Sequence, residues 1–176
     1  MGYRETLDRI LHNNFKDATT EQRESAAKDV IMVCSLASGG LVLQPIPGLG
    51  YAVIPVQIAM VGGVAHIFGE ELSRKQAREV LLDIGAITGV NMLGRQALTA
   101  LAKVVLPGIG GALAAPSAFA ITWSTGHAAV HYFRSGGKPD RDRLKAIFER
   151  EKQRGREHYS DAKARDARPS KDDLEA

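Results

Sequence analysis

From residue 31 to residue 69 the chain contains no Asp, Glu, Lys or Arg, which leaves 39 consecutive uncharged residues. A second uncharged stretch of 30 residues runs from 104 to 133. Aromatic residues make up only 6% of the chain, so the apolar residues of these stretches are mostly Ala, Val, Ile and Leu. Helices that are apolar on all sides must be covered by other protein or by lipid, and this requirement constrains the fold more than any other feature.

Each uncharged stretch contains a Pro-Gly turn that precedes an apolar helical pattern. Residues 47–50 are Pro-Gly-Leu-Gly, and residues 107–110, 60 positions later, are Pro-Gly-Ile-Gly. The pattern predicts two similar helical hairpins packed about a pseudo-two-fold axis; chance similarity in a chain rich in Ala and Gly is the alternative. We expect an all-α fold, a compact bundle of about five to six helices with two Pro-Gly-punctuated apolar helical hairpins and charged helical ends.

Amphipathic segments with recognisable starts flank the uncharged stretches. Near the N-terminus, apolar residues at helical spacing predict one short amphipathic helix, with a stripe formed by Tyr3, Leu7, Ile10, Leu11 and Phe15. Thr19 with Gln22, and Ser73 with Gln76, match the capping box, in which two side chains satisfy backbone groups at a helix start. Both pairs therefore predict where a helix begins.

Glycine and proline suggest how the helices end and approach one another. We expect the helix after residue 19 to fade at Gly39-Gly40, and an uncharged helix from about 51 to 68 with Pro55 in its first turn. Gly85 and Gly89 lie four apart on one helical pattern, so another helix is expected to pack closely there.

The C-terminal region alternates basic and acidic side chains. Its only strong apolar anchors are Leu144, Ile147 and Phe148. Such alternation is typical of a solvated helix, and we expect solvation beyond Glu151 and disorder beyond residue 169.

Charge also divides the chain into three expected parts. These are an N-terminal amphipathic helix at 1–18, an apolar helical core domain at 19–135, and a charged C-terminal helix with a flexible tail at 136–176. The last part carries 12 basic and 10 acidic residues, and this mixed sign disfavours a nucleic-acid partner.

Length and polarity leave two environments open for the uncharged helices. A transmembrane helix needs about 20 predominantly apolar residues. Prolines at 47, 55, 107 and 116 cut the two stretches, so uninterrupted helices of about 18 to 20 residues are expected. Gln57 and His66 add polar groups to the first stretch. Such helices suit either a buried soluble core or a hairpin that inserts into a bilayer with the support of neighbouring helices.

Two turns and two flanking cations are the residues expected to contact a membrane or a partner: Pro47, Gly48, Gly50, Pro107, Gly108, Gly110, Arg95 and Lys103. The cations could meet lipid phosphates or an acidic partner. Snorkelling at a helix surface is the alternative for each of them.

Two histidines are the candidates for chemistry. His127 and His131 are four residues apart, so they share a helical face, and this spacing suits zinc. However, Ala128 stands where a zinc protease carries its general-base Glu, and His66 is the one further candidate ligand in an apolar helix. The alternative is a pair that donates to backbone or water. We expect no metal, no cofactor and no catalytic residue, and we expect Cys34 to be a buried thiol.

Four segments resemble, in order and spacing, the YcjF-type domain of unknown function. They are PVQIAM at 55–60, HIFGEELS at 66–73, KVVLPGIG at 103–110, and TWSTGH with HYF within 122–133. The resemblance implies an α-helical, membrane-associated module without known catalytic residues, attached to or encoded beside Era-like and dynamin-like GTPases. These 176 residues contain no GTPase domain, so any nucleotide role would belong to another polypeptide.

Two functions follow as expectations. The first is a non-enzymatic helical protein that self-associates, engages an anionic membrane surface at the inner face of the cytoplasmic membrane, and assists a separate GTPase or membrane-remodelling system. The second is a soluble, cytoplasmic homo-oligomeric scaffold without membrane contact. A zinc enzyme that uses the two histidines is the weakest alternative.

Overall fold

The protein is all-α in the computed structural model, which describes residues 2–43, 52–89 and 109–169 and, within the last range, no side chains at 109–113 or 161–162. These ranges hold seven helices and no strand: α1 (Tyr3–Leu11), α2 (Thr20–Leu43), α3 (Val53–Ile67), α4 (Arg74–Thr88), α5 (Ile109–Arg134), α6 (Arg141–His158) and α7 (Asp161–Asp166). The predicted helical bundle is confirmed, with one more described helix than the upper expectation.

The two predicted capping boxes are present. Before α2, the Thr19 backbone N–H donates to Gln22 Oε1 at 2.8 Å, and the Gln22 N–H donates to Thr19 Oγ1 at 3.2 Å. Before α4, Ser73 and Gln76 exchange the same bonds at 2.9 and 3.3 Å. These reciprocal bonds satisfy amide groups that a helix start leaves without partners.

Two expected helix interruptions are wrong. The helix after residue 19 does not fade at Gly39-Gly40 but continues to Leu43. Pro116 does not cut the second uncharged stretch, because α5 runs through it as one helix of 26 residues. Tertiary packing overrides the local preference in both cases, since Gly39, Gly40 and Ala115 are all buried against neighbouring segments.

Helices α2, α3 and α5 pack closely where they meet. A Cβ added at Gly126 on α5 would lie 2.5 Å from Ile31 Cγ1 on α2 and 3.0 Å from Met60 Sδ on α3. The bare backbone of α5 therefore lets the three helices touch. On the α1 side, a Cβ added at Gly63 of α3 would lie 3.5 Å from Val30 Cγ1 of α2, an ordinary contact distance.

One apolar cluster runs through all three predicted parts of the chain. It includes Tyr3, Leu7 and Ile10 from the N-terminal helix and Leu144 and Phe148 from α6. Leu11, which the predicted stripe contains, is instead 51% exposed. The charged ends are thus packed onto the uncharged helices and supply the cover that those helices require.

Helix α2 is the one described helix that is long and apolar enough to cross a membrane. Its best 18-residue window has a mean hydropathy of 1.6, and 67% of that window is buried inside the bundle. The central helix of a soluble protein meets the same criterion, so length and composition do not decide its environment.

Candidate functional site

The two uncharged stretches meet at one end of the bundle. Val42 at the end of α2, Val53 at the start of α3 and Ala115 near the start of α5 form one buried cluster, with Leu43 and Ala118 packed against it. We call this region the apolar end.

The last described residues, 159–169, lie across the apolar end, and we call them the C-terminal strap. A Cβ added at Gly40 would lie 2.1 Å from the backbone oxygen of Ala164 in α7, which is closer than real Cβ atoms come. A Cβ at Gly39 would lie 3.0 Å from Cε2 of Tyr159. Glycine at position 40 therefore lets the strap lie so close to α2, whereas at Gly39 only the end of the Tyr159 side chain would have to shift.

The strap places cations beside the buried cluster of the apolar end. Lys163, Arg165 and Arg168 are exposed, as is Asp166. Over residues 150–169 the sequence has seven basic and four acidic side chains, and one of the acidic ones, Glu151, is buried. Cations thus border a buried apolar cluster, and peripheral membrane contacts combine apolar groups with nearby cations.

Helix α6 carries the strap to this end and is solvated on one side only. A Cβ at Gly155 would lie 2.9 Å from Cα of Ala120 on α5 and 3.2 Å from Cβ of Trp123. Phe119 of α5 meets Tyr159 edge-on, with ring centroids 5.6 Å apart. The predicted solvation beyond Glu151 does not hold for Gly155, because small and aromatic residues dock this side of α6 onto α5. It holds for the exposed residues of the helix, namely Gln153, Arg154, Arg156, Glu157 and His158.

A buried carboxylate fastens α6 to α5. Glu151 is 3% exposed; its Oε1 accepts from Arg150 Nε and from an Arg154 guanidinium nitrogen, each at 3.0 Å. Its Oε2 accepts from Trp123 Nε1 at 3.4 Å and lies 3.9 Å from His127 Nε2. Charge-assisted bonds of this kind offset the cost of burying a charge.

The surroundings shift both titratable groups of this pair. Burial opposes ionisation of Glu151, but the charge of His127, the hydrogen bonds from Arg150 and Trp123, and the charge of Arg154 outweigh it and lower the pKa of that carboxyl. Burial lowers the pKa of His127, and the attraction to Glu151 only partly offsets this effect. At neutral pH the arrangement holds a carboxylate beside an uncharged imidazole.

His131 lies in a different environment from His127. Partial burial, together with the nearby Arg143 and Arg134, lowers its pKa. Within the described part of the chain, no group of three His, Cys, Asp or Glu residues is placed to hold a metal ion. The structure therefore pairs His127 with Glu151 but supplies no third ligand from the residues that it describes.

Cys34 is a buried thiol in the core of the bundle, as predicted. It is 0% exposed, and burial raises the pKa of the thiol. A protonated, inaccessible thiol is inert as a nucleophile or a metal ligand.

Most residues predicted to contact a membrane or partner lie outside the described ranges, namely Pro47, Gly48, Gly50, Arg95, Lys103, Pro107 and Gly108. Gly110 lies in the first turn of α5. Gly85 is partly exposed within α4, and Gly89 ends that helix with a left-handed φ of 72°. Gly89 thus has a capping role, and the close helix approach predicted for this pair stays a prediction.

The strap and the Glu151 cluster were not predicted. The sequence indicates them only through three glycines that lie close to a neighbouring segment, namely Gly39, Gly40 and Gly155. Glycine within a helix costs about 1 kcal/mol relative to alanine, so it indicates a close approach. Without the fold, nothing in the sequence says that α6 and α7 supply the neighbour.

The family comparison matches residues 7–157 to the model of DUF697, a domain of unknown function. The comparison with curated proteins gave no match, and neither did the comparison with solved structures. The match covers most of the chain, which therefore belongs to the DUF697 family, and the predicted membership of a helical domain-of-unknown-function family is confirmed.

Proposed function

We propose that this DUF697 protein is a non-enzymatic helical protein that binds the anionic, cytoplasmic face of a membrane through its apolar end, self-associates there, and assists a separate GTPase or membrane-remodelling system. One observation carries the membrane part. Residues of both uncharged stretches, namely Val42, Val53 and Ala115, share one buried cluster at the apolar end of the bundle.

The cations beside that end supply the second element of a peripheral contact. Apolar insertion alone and electrostatic attraction alone each give weak membrane binding, and the combination gives stable binding. Lys163, Arg165 and Arg168 are exposed on the strap that crosses the apolar end. This pairing supports binding at the surface of an anionic bilayer over a transmembrane arrangement, since 67% of the apolar window of α2 is already buried in protein.

The environment of the titratable groups favours a non-enzymatic role. Glu151 and His127 have shifted pKa values, and such shifts also occur in structural ion networks. Here the carboxylate of α6 accepts from Trp123 of α5 and so joins two helices, while Arg150 and Arg154 of α6 balance its charge. The GTPase role rests on the resemblance to the YcjF-type domain alone.

Flotation of the purified protein with vesicles tests the membrane part. The protein should float with phosphatidylcholine vesicles that contain phosphatidylserine, less so with phosphatidylcholine alone, and less at high salt because salt screens exposed charges. Protein that stays at the bottom with both vesicles at low salt would contradict the proposal. For the accessory role, the protein should change GTP hydrolysis by a co-encoded Era-like or dynamin-like GTPase.

A soluble homo-oligomeric scaffold is the second candidate, and the burial of α2 favours it. Light scattering in the absence of detergent separates the two. A defined oligomer that does not float with anionic vesicles supports the scaffold.

A further inference from the structure

The contact between α2 and the strap joins the family domain to a segment beyond it. The family match ends at residue 157, whereas Ala164, which lies against Gly40, is in α7. A surface of the domain is thus covered by a segment that the match does not include. Ala164 is 0% exposed and Ala167 9% exposed, so the cover is closely fitted.

Small side chains pack α7 onto the bundle. Among the residues that the structure describes, no ion pair or side-chain hydrogen bond joins Lys163, Arg165 or Arg168 to the rest of the bundle. The backbone hydrogen bonds of α7 are local, such as Ala164 N–H to the Ser160 oxygen. These three cations could therefore move away without breaking an ion pair.

The surface beneath the strap is uncharged. It consists of Gly39 and Gly40 on α2 and Ala115 on α5, with Phe119 under the ring of Tyr159. Removal of the strap would expose apolar surface next to the apolar end while freeing its three exposed cations to move.

We propose that the C-terminal strap is a removable cover over a lipid-binding surface formed by Gly39, Gly40 and Ala115, and that an anionic bilayer displaces it. This inference rests on the membrane binding proposed above. A bilayer can displace the strap only if it binds the open form more tightly than the closed form. Two contacts are made in the open form alone: lipid chains contact the uncovered apolar surface, and lipid phosphates contact the released cations of the strap. A second copy of the chain fits less well, because two straps would bring like charges together.

A disulfide can lock the cover. A Cβ at Gly39 would lie 3.6 Å from Cβ of Ala164, within the Cβ–Cβ separation of disulfides. Only the flexible end of the Tyr159 side chain crowds that position. The double variant Gly39→Cys/Ala164→Cys should therefore close under oxidising conditions. Cys34 is fully buried and does not compete.

A single substitution should open the cover. Gly40→Ala places a methyl group against the Ala164 backbone, and should expose the strap to trypsin after Lys163 and Arg165. Gly62→Ala is the matched control, because a Cβ at that helical position meets no atom within 4 Å. Apparent affinity rises with the fraction of open molecules, so Gly40→Ala should bind phosphatidylserine vesicles up to about tenfold more tightly than the parent chain.

The locked variant should bind these vesicles weakly when oxidised and regain binding with a reductant. Equal binding in both redox states, with the disulfide verified by mass spectrometry, overturns the cover and leaves the membrane proposal standing. If neither the reduced form nor Gly40→Ala binds any vesicle, the membrane proposal falls and the cover falls with it. A Gly40→Ala protein that forms a defined dimer without a gain in vesicle binding shows instead that the surface takes a second copy, which overturns the lipid assignment.

Discussion

His127 Nε2 lies 3.9 Å from Glu151 Oε2, and this pair joins the middle of α5 to the middle of α6. The nitrogen is buried without a hydrogen-bond partner, while the carboxylate is satisfied by Trp123 and two arginines. Protonation of the imidazole would bring a charge into a site that already holds Arg150 and Arg154, so the pair makes the docking of α6 sensitive to pH.

Stability should fall as the pH drops from neutral. The folded-state pKa of His127 is below its ordinary value of 6.5, and that of Glu151 is below 4.5. The unfolded chain therefore binds more protons, so the contribution of His127 is complete above pH 6.5 and is lost below it, and that of Glu151 is lost below 4.5. The folded-state pKa of His131 is also lowered, so its contribution to stability is likewise lost as the pH falls. Urea unfolding at a series of pH values measures this slope.

The variant His127→Gln should flatten the profile below pH 6.5. The parent chain, measured over the same range of pH, is the reference. An unchanged slope in His127→Gln would show that the buried imidazole does not titrate with unfolding.

Removal of the buried carboxylate should destabilise the fold. Glu151→Ala leaves the indole N–H of Trp123, which is 8% exposed, without its acceptor, whereas the arginine side chains are 61% and 58% exposed and can be solvated. An unsatisfied buried donor costs about 1–3 kcal/mol. Glu149→Ala is the matched control on the same helix. The Glu149 carboxylate pairs with Lys152 but is 52% exposed, so its removal should cost less than about 1 kcal/mol. Comparable losses in the two variants, measured by chemical denaturation, would contradict a structural role for Glu151.

The sequence predicted local features well where a few neighbouring residues decide the outcome. The capping boxes at Thr19 and Ser73 are examples, because each depends on a contact three residues away. The helical structure of all the described elements and the burial of Cys34 also followed from composition and periodicity. Such features need no knowledge of which helices meet.

Long-range contacts were missed because they reverse local preferences. Gly39-Gly40 and Pro116 both indicate a helix end, yet α2 and α5 continue through them. The acidic and basic residues around Glu151 suggest a solvated surface, yet this carboxylate is buried by α5. In each case the deciding neighbour is distant along the chain, and periodicity carries no information about it.

Close packing at Gly126, and free space at Gly62, predict that two glycine-to-alanine substitutions change the stability of the protein in opposite directions. Gly126→Ala drives a methyl group to 2.5 Å from Ile31 Cγ1 and 3.0 Å from Met60 Sδ, and overpacking of this kind costs about 1–3 kcal/mol. Gly62→Ala has free space and gains helix propensity, so it should stabilise the protein by up to about 1 kcal/mol. Thermal unfolding of both variants beside the parent chain measures the two shifts. A stable Gly126→Ala would mean that α2 and α3 can separate at this level without loss.

Arg23 ties the end of α3 to the loop before α2. Its guanidinium donates to the backbone oxygens of Ile67 at 2.8 Å, Phe15 at 2.6 Å and Ala18 at 3.3 Å. Arg23→Lys keeps the charge but loses the planar fork that reaches several oxygens at once, so it should destabilise the fold by about 2 kcal/mol, nearly as much as Arg23→Ala. Arg9→Ala, which removes an exposed pair with Asp29, should cost less than about 1 kcal/mol. Full stability in Arg23→Lys, measured by urea denaturation, would show that charge rather than geometry makes this contact.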